Sequence, residues 1–209
     1  MVIVHHLNNS RSQRILWLLE EMGTPYEVKR YERDRATMLA PPELRAVHPL
    51  GKSPVIEDGG RVLAESGAIV EYLAATYGQG RFTPEPGTDA ALKVNYWMHF
   101  AEGSAMMPLL LTLYLGRLGD AAGPLLARIK TQIAGMLAYI EAELGAGPFL
   151  VGDTLTIADI QMSFPLEAAT ARGGLDASYP GLTTYLARLH ARPAYARALE
   201  QGGPYELLR

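Results

Sequence analysis

Apolar and polar positions alternate between two periods over the first third of the chain. Val2 to Leu7 is a short β-branched run closed by Asn8-Asn9, which predicts a strand. Ile15, Leu16, Leu18, Leu19 and Met22 then recur at helical spacing, with Ser10 or Ser12 placed to cap the start and Gly23 to end it. Tyr26, Val28 and Arg30 alternate with polar neighbours and predict a second strand. The stretch from Arg33 to Arg45 is polar and broken by Pro41-Pro42. Val55-Ile56-Glu57 and Arg61-Val62-Leu63 flank Asp58-Gly59-Gly60, a hairpin signal. A helix from Ser66 to Tyr77 buries Ile69, Val70 and Leu73. The order strand, helix, strand, hairpin, helix predicts a right-handed parallel crossover extended by antiparallel strands, a small mixed sheet with helices packed on it.

Strand signals nearly vanish after Gly78–Gly87, a glycine- and proline-rich stretch that reads as a linker. Ala90 to Leu118 predicts a helix bent near Pro108. Leu125, Leu126, Ile129, Ile133, Met136, Leu137, Ile140 and Leu144 recur at three and four and predict one face of a long helix. Thr156 and Asp159 form a variant capping box opening another helix. Two shorter helices are predicted around Tyr179–Ala191 and Pro193–Gln201. The fold class is therefore α/β followed by all-α: residues 1–78 a small α/β domain, 79–88 a linker, 89–209 a helical domain.

Composition narrows the chemistry. With 209 residues, of which 48% are hydrophobic, the chain can bury a core without disulfide or metal staples. A net charge of −3 is of the wrong sign for a dedicated nucleic-acid binder. The absence of cysteine excludes disulfides, thiolate metal clusters and a protein thiol nucleophile. The most apolar stretch, Ala105 to Leu115, carries Pro108 and falls short of the ~18 residues that span a bilayer. No secretory signal follows Met1, so a cytoplasmic protein with no membrane partner is expected.

A few polar residues stand where chemistry is possible. Ser10 lies where the first strand hands over to the first helix, near unpaired N–H groups and the positive end of the helix dipole, a place that stabilises an anion. An ordinary capping role remains open for it, and Ser12 competes for either role. Ser53-Pro54 stands just before a strand, and a cis bond there would turn the chain and free the Ser53 backbone for an extended peptide. Glu65 and Ser66 open the next helix; the serine hydroxyl with helix N–H groups suits a carboxylate and Glu65 an ammonium, together an amino-acid end group, and a plain capped helix stays open as the alternative. Lys52 is a possible anion partner. His48 reads as a turn residue. His5 and His6 are adjacent on a strand and face opposite ways, a poor arrangement for a metal. His99 and His190 have no second ligand at metal spacing.

The segments NSRSQRILWLLEE (Asn9 to Glu21), APPELRAVHPLGKSPVIED (Ala40 to Asp58), ESGAIVEYL (Glu65 to Leu73) and FLVGDTLTIADI (Phe149 to Ile160) resemble, in order and spacing, those of the cytosolic glutathione transferases. The likeness covers essentially the whole chain and is greatest to a bacterial and fungal group. It implies a thioredoxin-like N-terminal domain that binds glutathione, a helical domain lining an electrophile pocket, and a homodimer. It implies glutathione as co-substrate, with no permanent cofactor and no metal. By resemblance Ser10, four residues before Arg14, is the catalytic serine, with Ser12 the runner-up. Lys52 contacts the glycine carboxylate, with Arg35 and His48 candidates for a second contact. Ser53, ahead of cis-Pro54, offers its backbone to the cysteinyl unit, and Glu65 and Ser66 hold the γ-glutamyl end. On the helix from Ala90 to Leu118, Met106, Leu110 and Tyr114 are the candidates for the electrophile pocket, with His99, Glu102 and Met107 on the same stretch, and all of them could equally be core; Glu102 is also a candidate for the dimer interface. A tyrosine-type mechanism does not fit His6, Leu7 and Asn8. The expected activity is conjugation of glutathione to small electrophiles. The alternatives are a non-catalytic scaffold on the same fold, or a glutathione-dependent peroxidase, isomerase or dehalogenase.

Overall fold

The computed structural model describes residues 1–172 and 174–208. The chain divides into two compact units. The first is Met1–Phe82 together with His190–Glu206; the second is Thr83–Leu189 with the described residues after Glu206.

The first unit is built on a four-stranded mixed sheet. Strands β1 (Val2–Leu7), β2 (Tyr26–Tyr31), β3 (Val55–Asp58) and β4 (Arg61–Ala64) lie in the order β2-β1-β3-β4. β1 pairs parallel with β2 and antiparallel with β3, and β3 pairs antiparallel with β4. This is the thioredoxin-like arrangement, and its parallel pair is connected by helix α1 (Ser12–Met22). β1 is internal and covered on both faces, so Val2, Val4, His5, His6 and Leu7 are all buried, whereas the outer strand β2 is largely open. A short helix α2 (Glu43–Val47) lies within the polar stretch, where the pattern predicts no element, anchored by fully buried Leu44. Helix α3 (Ser66–Tyr77) buries Ile69, Val70 and Leu73 as its spacing predicts.

α1 departs from a one-faced helix. All residues from Ser12 to Leu19 are buried, including Trp17, while Met22 is only half-buried. The cause is a helix from the far end of the sequence. α9 (Pro193–Gly202) packs along α1: Tyr195 meets Trp17 edge-on at 5.2 Å, Arg192 grips the Glu21 carboxylate at 2.5 and 2.8 Å, and Arg197 reaches Glu20 at 2.7 Å. A helix enclosed on several sides needs apolar residues on each of them.

The second unit is helical. α4 (Asp89–Phe100) continues through a π turn, Ala101–Ala105, into α5 (Met106–Leu115), which ends in a 3₁₀ segment, Gly116–Ala122. The irregularity falls just before Pro108. A proline ring collides with the carbonyl four residues back in a regular helix, and the widened turn makes room for it. α6 (Gly123–Leu144) buries Ile129, Ile133, Leu137, Ile140 and Leu144; Leu125 is exposed and Leu126 and Met136 half-buried, so its apolar stripe starts later than the spacing suggests. α7 (Ile157–Arg172) is buried continuously from Ile157 to Ala169 and forms the unit's centre. At its start Asp159 accepts the Thr156 N–H at 2.8 Å, as the capping box requires. α8 is Pro180–His190. Among the described residues, no helix is long and apolar enough to cross a membrane.

Candidate functional site

The C-terminal end of β1 gathers the polar residues of the first unit. The strand turns through Asn8 and Asn9, the latter at φ 52°, a left-handed conformation that asparagine tolerates better than most residues. The chain then enters α1. Ser10 is buried, with 4% exposure, and sits one residue ahead of the helix-capping position, which Arg11 occupies without a side-chain cap. The cap expected of Ser10 or Ser12 is thus replaced by a different arrangement. The Ser12 N–H donates to the Ser10 Oγ at 3.3 Å, and the Gln13 N–H to the Ser10 carbonyl at 3.2 Å. The two hydroxyls are 2.7 Å apart, and the Ser12 Oγ is 2.9 Å from His6 Nδ1 and 3.3 Å from the Leu7 carbonyl.

Ser53 joins the same strand end. The Ser53–Pro54 bond is cis. The β1–β3 ladder ends at His5 opposite Val55, and Pro54 has no N–H to extend it. The Ser53 hydroxyl continues the pairing in its place, donating to the His5 carbonyl at 2.7 Å and accepting the Leu7 N–H at 3.2 Å. This side chain therefore has a task beyond what its backbone offers.

α1 also reaches the start of α3. Arg14 is buried, and its Nη1 donates to the Ser66 Oγ at 3.1 Å. Ser66 is the first residue of α3, and Glu65 before it is exposed at φ 69°, ψ 114°. That left-handed φ is unfavourable for a residue that carries a Cβ. Lys52 is exposed. His48 is half-buried and behaves as a turn residue: its Nδ1 accepts the Leu50 N–H at 3.4 Å and its carbonyl the Gly51 N–H at 2.8 Å. Arg35 is exposed.

Of the residues suggested for an electrophile pocket, Met106 is buried, Leu110 half-buried and Tyr114 exposed, spaced four apart along α5. A depression of about 520 Å³ lined by Met1, Val2, Gly23, Thr24, Pro25 and Tyr77 lies at the opposite end of β1 from Ser10. Volume alone does not lead to the polar cluster.

Two features escape a reading of the sequence. Arg14 ties the start of α1 to the start of α3. His6 sits two hydrogen bonds from Ser10. Burial, and behind it the positive charge of Arg30, pulls the His6 pKa down to about 4, while the Gly202 backbone favours a proton on the ring. The signal is present in the spacing: His6 shares the face of Val2 and Val4, which is the face α1 covers.

This sheet, its cis-proline corner and the polar cluster at the strand end define a thioredoxin-like unit joined to a helical one. Family comparison agrees at the level of sequence. Residues 1–75 match the glutathione S-transferase N-terminal domain, and residues 123–188 match the glutathione S-transferase C-terminal domain. Glutathione S-transferase 3 of Schizosaccharomyces pombe is 36% identical, over 96% of this chain and 88% of its own. Glutathione S-transferase 1 of Saccharomyces cerevisiae is 32% identical, over 96% and 95%. The crystal structure of a glutathione S-transferase from Actinobacillus pleuropneumoniae superimposes with a TM-score of 0.91 at 39% identity, covering 100% of this chain and 96% of that one. The chain belongs to the glutathione S-transferase family.

Proposed function

We propose that the protein is a glutathione S-transferase that binds glutathione on its first unit, lowers the thiol pKa and presents the thiolate to a small apolar electrophile. A free thiol, with pKa about 8.5, is only about 3% ionised at pH 7; lowering that pKa by about two units makes most of it thiolate, at about 2.7 kcal/mol of differential stabilisation. One hydroxyl donor and a helix N-terminus supply energy of that order. Ser10 is the donor. It acts as a hydrogen-bond partner to sulfur and not as a nucleophile.

The observation that carries this reading is the Ser10 hydroxyl itself. It is buried just ahead of α1, its Oγ receives the Ser12 N–H, and among the described residues its proton has no partner other than the Ser12 Oγ at 2.7 Å. A donor so placed is within reach of an anion arriving at the strand end. Around it the Ser53 backbone beside cis-Pro54 receives the cysteinyl unit, and Glu65 with the start of α3 at Ser66 holds the γ-glutamyl ammonium and carboxylate. Lys52 meets the glycine carboxylate. Met106, Leu110 and Tyr114 are assigned to the electrophile side. The protein acts as a cytoplasmic homodimer, with glutathione as co-substrate.

Ser10→Ala tests the assignment. The pKa of bound glutathione, followed by the ultraviolet absorbance of the thiolate, rises by at least about one unit while circular dichroism stays unchanged. Should Ser12→Ala produce the larger rise and Ser10→Ala none, the donor is misassigned by two positions.

A further inference from the structure

His6 is a buried titratable group that thiolate stabilisation by Ser10 alone leaves unused. Its ring is 3% exposed and lies under the first turn of α1. Its Nδ1 is 2.9 Å from the Ser12 Oγ, whose own distance to the Ser10 Oγ is 2.7 Å. Ser10 and Ser12 are buried as well, at 4% and 0% exposure. Three polar groups thus form an unbroken line from the strand end into the interior, within hydrogen-bond reach at each step.

The direction of that line is fixed at its inner end. Gly202, the last residue of α9, lies against the imidazole: a Cβ there would stand 3.2 Å from His6 Cε1. The last carbonyls of a helix lack partners within it and carry its negative end. The Gly202 backbone favours a proton on the ring. With Nδ1 engaged by the Ser12 hydroxyl, the ring proton of the neutral imidazole, favoured by the Gly202 backbone, is assigned to Nε2. Nδ1, at 2.9 Å a nearer acceptor than the Leu7 carbonyl at 3.3 Å, then takes the Ser12 hydroxyl, and the Ser12 Oγ accepts the Ser10 hydroxyl. At rest the line points inward, from Ser10 to Ser12 to His6.

The geometry points to a proton relay in which His6, through Ser12 and Ser10, takes up the proton that bound glutathione loses. This rests on the reading of Ser10 as the residue beside the thiol. In one concerted shift the S–H bond breaks and its proton bonds to the Ser10 Oγ. The Ser10 proton passes to the Ser12 Oγ, and the Ser12 proton to His6 Nδ1. Nothing is oxidised or reduced. The products are a thiolate, two neutral serines and an imidazolium. Each donor now points outward: imidazolium N–H to Ser12, Ser12 O–H to Ser10, Ser10 O–H to sulfur. The shift that generates the thiolate also turns the chain to stabilise it. It also removes the contact between two proton-less oxygens, 2.7 Å apart, that would arise if Ser10 alone turned to sulfur.

The groups facing the ring are Ser12 from α1, the Gly202 backbone from α9, and Arg30 from β2, whose guanidinium also donates to the Glu200 and Gln201 carbonyls. Burial and Arg30 keep His6 neutral while the site is empty, the state an acceptor needs. A thiolate at the outer end of the line acts in the opposite sense, favouring the charged ring.

The test is ¹⁵N NMR of the full chain with labelled histidine at neutral pH, with glutathione and, separately, S-methylglutathione, which has no thiol proton. His6→Asn identifies the His6 resonances among the five histidines. Glutathione converts His6 from the neutral Nε2–H pattern to imidazolium, and S-methylglutathione does not. His6→Asn keeps an acceptor for Ser12 but cannot take a proton; its bound-thiol pKa rises and kcat falls about tenfold or more with KM little changed. Ser12→Ala, a milder cut in the same line, leaves His6 neutral with glutathione bound. A thiolate absorbance accompanied by neutral His6 in the unaltered protein overturns the relay while leaving Ser10 as donor. Absence of that absorbance overturns the reading of Ser10 and the relay together.

Discussion

Replacing Asp159 probes how the helical unit is held together. The side chain is fully buried at the start of α7, and four donors converge on it. Oδ1 accepts the Leu150 N–H at 2.9 Å and the Tyr185 hydroxyl at 2.7 Å; Oδ2 accepts the Thr156 N–H at 2.8 Å and the Thr156 hydroxyl at 3.0 Å. Each oxygen therefore serves one backbone N–H, which cannot be redirected, and one hydroxyl, which can rotate. An asparagine in its place would have to present its NH₂ to one of the two N–H groups, whichever way it is turned. An unsatisfied buried donor costs about 2 kcal/mol, so Asp159→Asn loses about 2 and Asp159→Ala, which strands both, about 4 kcal/mol. For a chain of this length 1 kcal/mol moves Tm by about 2–4 °C, giving drops of about 4–8 °C and 8–16 °C. Tyr185→Phe removes a single neutral donor and costs about 1 kcal/mol. Scanning calorimetry is the assay, because it resolves the two units should they melt separately. If Asp159→Ala melts within about 2 °C of the parent, or if the asparagine and alanine variants are equivalent, the four-donor account is wrong.

Two further outcomes follow from the first unit. Hydrogen bonds from Tyr77 at 2.6 Å and Tyr72 at 2.9 Å to the Asp58 Oδ2 hold that carboxyl below the usual carboxylate range, the Tyr77 bond contributing most, and push Tyr77 up to about 12. A depressed acid stabilises the fold above its unfolded pKa, about 3.9, and loses that contribution as pH falls through its folded value. Asp58→Asn therefore lowers Tm at pH 6, and the gap from the parent closes on acidification below about pH 4; a gap independent of pH would contradict this. Arg192→Ala leaves the Glu21 carboxylate, 8% exposed, with the Trp17 indole N–H at 2.9 Å in place of a bidentate partner. Because Arg192 is one-third exposed, the expected loss is about 2 kcal/mol, below the 3–5 of a fully buried pair. Hydrogen exchange of the α9 amides should accelerate; unchanged exchange would remove Arg192 from the docking of this helix.

Local pattern and tertiary closure differ in how far the sequence reveals them. Period two in β2 and period near three and four in α3 and α6 follow from burial of one side, so they are legible wherever one side is wet. α2 is invisible in the sequence because a single residue, Leu44, anchors it, and one apolar position has no period. The place of α9 is invisible for a different reason. Its partner α1 lies more than 170 residues earlier, and the pairing rests on Arg192 with Glu21 and Arg197 with Glu20. Charges on a helix surface look the same whether they face water or one another. Trp17 is the one hint, since it breaks the single apolar stripe of α1 and asks for a cover on a second side.

The site divides along the same line. Ser10, Ser53 and Ser66 are recognisable because helix starts and X-Pro corners are punctuation, and their chemistry follows from being at ends. The sequence sets His6 aside because adjacent histidines on a strand point apart, a poor arrangement for a metal. That rule is correct and yet selects the wrong question. Opposite faces of one buried strand give two histidines different neighbours: His5 meets Tyr31 at 2.9 Å and Glu57 at 2.8 Å, while His6 meets Ser12. His5 is held between two partners and has no route to the strand end. His6 has a hydroxyl chain in front of it and a helix terminus behind it. The chemistry of a histidine on an internal strand is thus decided by which layer it faces, and for His6 that layer is completed only when the last helix folds back against the first.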